Sequence, residues 1–225
     1  MDAKIFLVHC GIRDSMPISD CEVRDPRIRR TRQLLRNSLS TLLRSRPFEE
    51  ISVQDITEEA TVNRATFYDH YADKFALLDS LIAGGFHQLV HERQVEFNGS
   101  CPAAAATIIR ATCDYLQQIH EQAPDHAGPC SFEALLDSAM TAAIGRVLLA
   151  GMKNYPAEPF VSPEMRAAAT SWALYGAVKA WVSMPERPSS EAIVPEILAL
   201  VMPILQAPAG LPTDSRGTRS DVHVA

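Results

Sequence analysis

A chain of 225 residues that is 47% apolar and holds only ten glycines can bury one large core or two small ones, which excludes disorder as its overall state. Its net charge of −6 argues, as an average, against nucleic acid as a partner. The average hides an asymmetry, because residues 24–46 hold eight arginines against the one acid Asp25, whereas residues 75–225 hold nine basic and fifteen acidic side chains.

Residues 1–23 show no sustained period and are expected to form a flexible arm, with Met16 as an alternative start. The apolar run Ile5–Val8 is too short for the core of a secretion signal. From about Arg27 to Arg44, Ile28, Leu35, Leu39 and Leu42/Leu43 recur at helical spacing, and Arg29, Arg32 and Arg36 line another face. Pro47 stops this helix. Ser52 and Asp55 form a capping box that opens a second short helix, with Val53, Ile56 and Ala60 facing inward. Thr61 and Val62 make a tight turn, Asn63 caps a third helix from Arg64 to about His70, and Asp73 caps a fourth from Lys74 to about Phe97, with Phe75, Leu78 and Ile82 on one stripe. Two helices this short need the first and fourth to complete a core, the arrangement of a helix-turn-helix over residues 24–72.

Further helices are expected at about 102–122, 131–153, 163–184 and 190–206, separated by Gly128-Pro129, Pro156 to Pro163 and Pro185 to Pro188; a disordered tail follows over 207–225. The chain is therefore read as all-α: an N-terminal three-helix head and a larger helical bundle, 73–206. The most apolar stretch, Ala167 to Met184, contains Lys179 and follows Arg166, so no membrane span is expected. Two adjacent apolar stripes on helix 190–206, beside the nearly all-apolar helix 163–184, exceed what a monomer's core requires. They suggest a homodimer through these two helices, with a purely monomeric core as the alternative.

The run Ile51-Ser-Val-Gln-Asp-Ile-Thr-Glu-Glu-Ala-Thr-Val-Asn-Arg-Ala-Thr-Phe-Tyr-Asp-His-Tyr-Ala-Asp-Lys-Phe-Ala-Leu-Leu78 resembles the helix-turn-helix signature of the TetR family of transcriptional regulators. Thr66-Phe67-Tyr68, Tyr71 and Lys74 ahead of Leu77-Leu78 stand in that family's register. The resemblance implies that Asn63, Arg64, Ala65 and Thr66 meet base edges of a double-stranded DNA operator. It further implies that Tyr68, His70 and Lys74 hold phosphates, with Ser52, Arg29 and Arg32 adding backbone contacts. It places an unknown small-molecule effector inside the bundle, where Phe86, His87, Tyr115, Phe132, Met140, Trp172 and Tyr175 are candidate lining residues and equally candidate core. Two positions depart from the pattern. Thr61 stands where the family commonly has glycine, at a turn where a positive φ favours glycine, and Asp69 puts a negative charge on the recognition helix.

His87 and His91 share a helix face and would chelate a metal if Cys113 or His120 came close; cavity lining or solvent exposure is the commoner fate, and no metal or cofactor is assigned. The five cysteines contain no C-x-x-C pair and fit a reducing cytoplasm. A redox switch among Cys101, Cys113 and Cys130 is the lesser alternative to inert thiols. No Gly-rich phosphate loop, G-x-S-x-G or metal motif supports an enzyme. The expected function is a DNA-binding regulator, a repressor retuned by its effector. The rival is a head that has lost DNA binding and docks on another protein, for which Asp69, Thr61, Glu58 and Glu59 speak.

Overall fold

The computed structural model describes residues 25–99, 101–122, 131–153 and 161–206; the expected arm, the expected tail, Cys10, Cys21 and Cys130 lie outside them. In chain order it contains α1 (Pro26–Leu43), a 3-10 turn (Phe48–Glu50), α2 (Val53–Glu59), α3 (Arg64–His70), α4 (Lys74–Glu92), α5 (Pro102–Gln122), α6 (Ser131–Lys153), α7 (Pro163–Val182) and α8 (Ser190–Leu205). There is no strand among the described residues, so the fold is all-α as expected.

The chain divides into two compact units, one of residues up to Glu92 with Gln117–Ala143, the other of Arg93–Leu116 with the residues from Ile144 onward. In the first unit, α1 starts where the Asp25 carboxylate accepts from Arg27 N at 2.8 Å and Pro26 presets the first helical φ. Leu35, Leu39 and Leu42 are buried, and α1 packs on α2, α3 and α4. Ile28, in the open first turn, is 37% exposed and lies outside the core stripe. Ser52 and Asp55 complete both arms of the expected capping box. Asn63 caps α3 through Ala65 N at 2.8 Å, and Asp73 caps α4 through Ala76 N at 2.8 Å. Phe67 is wholly buried, and its burial holds the short α3 in place.

Three details differ from expectation. The 3-10 turn after Pro47 had no periodic signal, being a single turn that buries only Phe48. Phe75 is 43% exposed rather than buried with Leu78 and Ile82, since it meets Phe48 edge-on at 5.4 Å on the rim of the core. Helix α4 ends at Glu92, not near Phe97, because Gln94 takes a left-handed φ of 50° that terminates the helix.

In the second unit, the segment released by that stop packs on α6. Phe97 is buried, and a Cβ at Gly151 would stand 2.3 Å from the Phe97 carbonyl oxygen, so this approach requires glycine. Helix α7 begins at the Ser162 cap and Pro163 and packs on α8. It buries Ala167, Thr170, Ser171, Leu174, Tyr175, Val178 and Trp181. The Trp181 indole donates to Pro188 O at 2.9 Å beneath the Arg187 guanidinium, which fixes the α7–α8 turn. Helix α8 runs through Pro195 and Pro203; both are on the exposed side, where water can take the place of the missing amide donors. The stretch Phe132–Lys153 in α6 is long and apolar enough to cross a bilayer by length and composition alone, but 44% of its apolar window is buried in the protein, as in an ordinary core helix.

Candidate nucleic-acid interface

The helix-turn-helix is built by the packing of α1 on α2 and α3 and by a four-residue connection between α2 and α3. Thr61 N donates to Glu58 O at 3.1 Å and Val62 N to Thr57 O at 3.0 Å, closing the turn. Thr61 has φ 53°, in the left-handed region, so the turn keeps the shape that glycine would favour while a β-branched residue occupies it.

On α3, Arg64, Ala65, Tyr68 and Asp69 are exposed, Thr66 and His70 half-buried. Arg64 and Tyr68 form a pair: the guanidinium carbon lies 5.7 Å from the Tyr68 ring centroid and Nη2 donates to the phenol oxygen at 3.3 Å. Asn63 is also exposed, but its side-chain oxygen is occupied by the cap to Ala65 N. Ser52 is engaged in the same way, because its hydroxyl donates to Asp55 Oδ2 and accepts from Asp55 N at 3.1 Å. Arg46 adds an ion pair to Asp55 at 3.3 Å. The Ser52 hydrogen bonds, with Arg46 adding to them, hold the Asp55 carboxyl at about 2, well below the usual carboxylate range.

Burial, with help from the Arg32 charge and against that of Asp69, lowers the His70 imidazole below its ordinary pKa of 6.5. At neutral pH His70 is therefore a neutral hydrogen-bonding group rather than a cation.

Lys74 takes a different role from the expected phosphate clamp. Its ammonium donates to the backbone oxygens of Phe48 at 3.0 Å, Glu49 at 3.1 Å and Ile51 at 2.7 Å, and sits 4.6 Å from the Phe48 ring centroid. An ammonium has three hydrogens, and here all three are used inside the fold. Lys74 thus fastens the 3-10 turn to the start of α4, and no hydrogen remains for a phosphate in this arrangement.

Arg29 is exposed, while Arg32 is half-buried with its guanidinium 5.9 Å from the Tyr71 ring centroid, linking α1 to the end of α3. Arg36 donates to Gln33 Oε1 at 2.8 Å. Periodicity had selected Arg29, Arg32 and Arg36 as the basic stripe; Arg27, Arg30 and Arg44, not named among the site residues, are more open to solvent than Arg32 or Arg36. A count of arginines finds them, but their exposure depends on where α1 meets its neighbours.

The expected effector residues fall in both units. Phe86 and Met140 are wholly buried, and His87 and Phe132 half-buried, in the first. In the second, Tyr175 is buried and Tyr115 half-buried, its phenol pushed up by desolvation. Trp172 lies on the outer face of α7, 59% exposed, which removes it from a cavity lining within one subunit. Burial pushes the Cys113 thiol up to about 12, so it is inert rather than nucleophilic. Among the described residues no group of three or more His, Cys, Asp or Glu could hold a metal, His87 and His91 included.

Residues 40–81, the end of α1 through the first half of α4, match the family model of the bacterial regulatory proteins of the tetR family. An uncharacterized HTH-type transcriptional regulator, YxbF of Bacillus subtilis (strain 168), is 30% identical over 121 residues, covering 49% of this chain and 32% of its own length. The match thus spans about a third of that relative. The fold is similar to that of a TetR transcriptional regulator from Rhodococcus sp. RHA1, with a TM-score of 0.53 and 12% identity over 79% of this chain and 97% of that one. It is also similar to the transcriptional repressor QsdR of R. erythropolis, TM-score 0.52 and 14% identity over 80% and 97%. With the capped α2–turn–α3 unit and its register from Ile51 to Leu78 in place, residues 40–81 form a helix-turn-helix similar to that of the tetR family of bacterial regulatory proteins.

Proposed function

We propose that the protein is a homodimeric transcriptional repressor that reads a palindromic DNA operator through α3 and leaves it when a small molecule binds in the helical bundle. The observation that carries this reading is the exposed Arg64–Tyr68 pair on α3, next to a first helix whose arginines outnumber its acids. Arginine suits guanine edges, and the exposed Arg27, Arg29, Arg30 and Arg44 suit phosphates. Arg32 and His70 contribute from half-buried positions.

The outer surface of α7 and α8 supports dimerisation. Met165, Trp172 and Leu200 are 62%, 59% and 65% exposed, and a Cβ at Gly176 would meet nothing within 4 Å. The monomer buries Ile193, Val194, Ile197, Val201 and Leu205 instead, so a second copy is the natural cover for the remaining apolar face. Reading a palindrome requires the two recognition helices of such a dimer to stand about one DNA turn apart. An effector bound in the helical bundle would act by favouring another spacing; near-complete release needs about 5.5 kcal/mol of differential affinity.

Selection of random duplexes on the purified protein, followed across a salt series, tests the reading. The expected result is a palindromic consensus bound with steep salt dependence. A folded dimer that enriches no sequence would instead support a head that docks on another protein.

A further inference from the structure

The exposed side of α3 offers fewer base readers than its composition suggests. Asn63 already uses one acceptor position of its side-chain oxygen in the helix cap, so it is less free than an unengaged amide to turn toward adenine. Ala65 has no polar side-chain atom, and Thr66 is half-buried. Arg64 keeps a donor fork in the open. A long exposed side chain ordinarily samples many rotamers in water, but this one lies along Tyr68, four residues on and one helical turn away. Tyr68 is itself fixed, its ring meeting Phe67 edge-on with centroids 5.4 Å apart, and Phe67 is wholly buried. A buried ring thus orders an exposed ring, which orders a guanidinium. Only one of the five N–H groups of the guanidinium is engaged by the phenol, and the four others include the pair needed for a bidentate contact with guanine O6 and N7.

We infer that Tyr68 is a specificity-determining positioning residue, which holds Arg64 for a guanine in each operator half-site, and not chiefly a phosphate clamp. The inference rests on the DNA-binding reading above. Ordering one flexible side chain before binding changes discrimination by roughly two- to tenfold, which sets the size of the effect.

The test compares affinities for the selected operator and for the same duplex with that guanine replaced in both half-sites. Arg64→Ala is expected to abolish the ratio between them. Tyr68→Ala should lower the ratio roughly two- to tenfold. Tyr68→Phe, which keeps the ring under the guanidinium, should stay within about twofold of the parent ratio. Adding Tyr68→Ala to Arg64→Ala should not change the ratio further. Circular dichroism establishes that each variant is folded. Equal losses on both duplexes for Tyr68→Ala, with the ratio intact, would overturn the inference and make Tyr68 a plain backbone contact. A selected site containing no guanine sensitive to Arg64→Ala would overturn it at the base. Failure of the parent protein to select any sequence would instead remove the DNA-binding reading on which it stands.

Discussion

Lys74 is a case in which a side chain's surroundings matter more than its position in a motif. A lysine at the start of a helix beside a DNA-reading unit invites the role of phosphate clamp, but three backbone oxygens occupy its ammonium. Lys74→Ala is therefore expected to cost about 1–3 kcal/mol of stability, by leaving those oxygens without their donor, and to leave the salt slope of DNA binding unchanged. Urea titration and a salt series check the two halves; a slope reduced by about 1 with stability intact would return Lys74 to the phosphate role.

Acid should weaken the head in two stages. The His70 pKa is lowered on folding, so its contribution is complete above its ordinary pKa of 6.5 and declines as pH falls through that value, because the unfolded chain takes up the proton more readily. The Asp55 pKa is lowered from 3.8 to about 2, so its contribution is complete above 3.8 and is lost as pH falls toward 2. Denaturation midpoints at pH 8, 5 and 3 should fall in that order. Asp55→Asn should flatten the lower step and His70→Gln the upper.

Between elements, the turn from α2 to α3 carries the clearest strain. Thr61 at φ 53° accepts a conformation costing about 1–2 kcal/mol for a residue with a Cβ, and the entropy of an added glycine offsets part of that gain. Thr61→Gly is expected to stabilise the protein by about 0.5–1 kcal/mol and raise Tm by about 1–4 °C; a lower Tm would contradict the strain argument. This turn was legible in the sequence because a cap, two short apolar patterns and a misplaced threonine all fall within a dozen residues. Helix existence was equally legible wherever Ser52, Asn63, Asp73 or a proline marked a boundary. The end of α4 was not, since apolar spacing continues through Val95 and Phe97, and only the left-handed Gln94 reveals the stop. Exposure was legible for Arg64 and Tyr68, since it follows from the buried Phe67 beside them. It was illegible for Lys74, Arg32 and Trp172, because a side chain's partners across helices 20 or more residues apart leave no mark on local spacing.

At the scale of the whole molecule, the α7–α8 surface should determine the state of association. Leu200→Glu places a charge on that face at a position already 65% exposed, so folding should survive while self-association is lost. Size-exclusion chromatography with light scattering reads the outcome, and an unchanged dimer would move the interface elsewhere. The same region contains both tryptophans of the chain in opposite settings. Trp181 is 2% exposed, with its indole proton held by Pro188 O; Trp172 stands 59% open on the outer face. Their fluorescence should therefore separate: Trp181 emits as a shielded ring until the helices come apart, whereas Trp172 answers to dissolved quenchers and shifts colour when a neighbour covers or leaves it. Unfolding and subunit exchange can then be followed in one cuvette, without an attached dye.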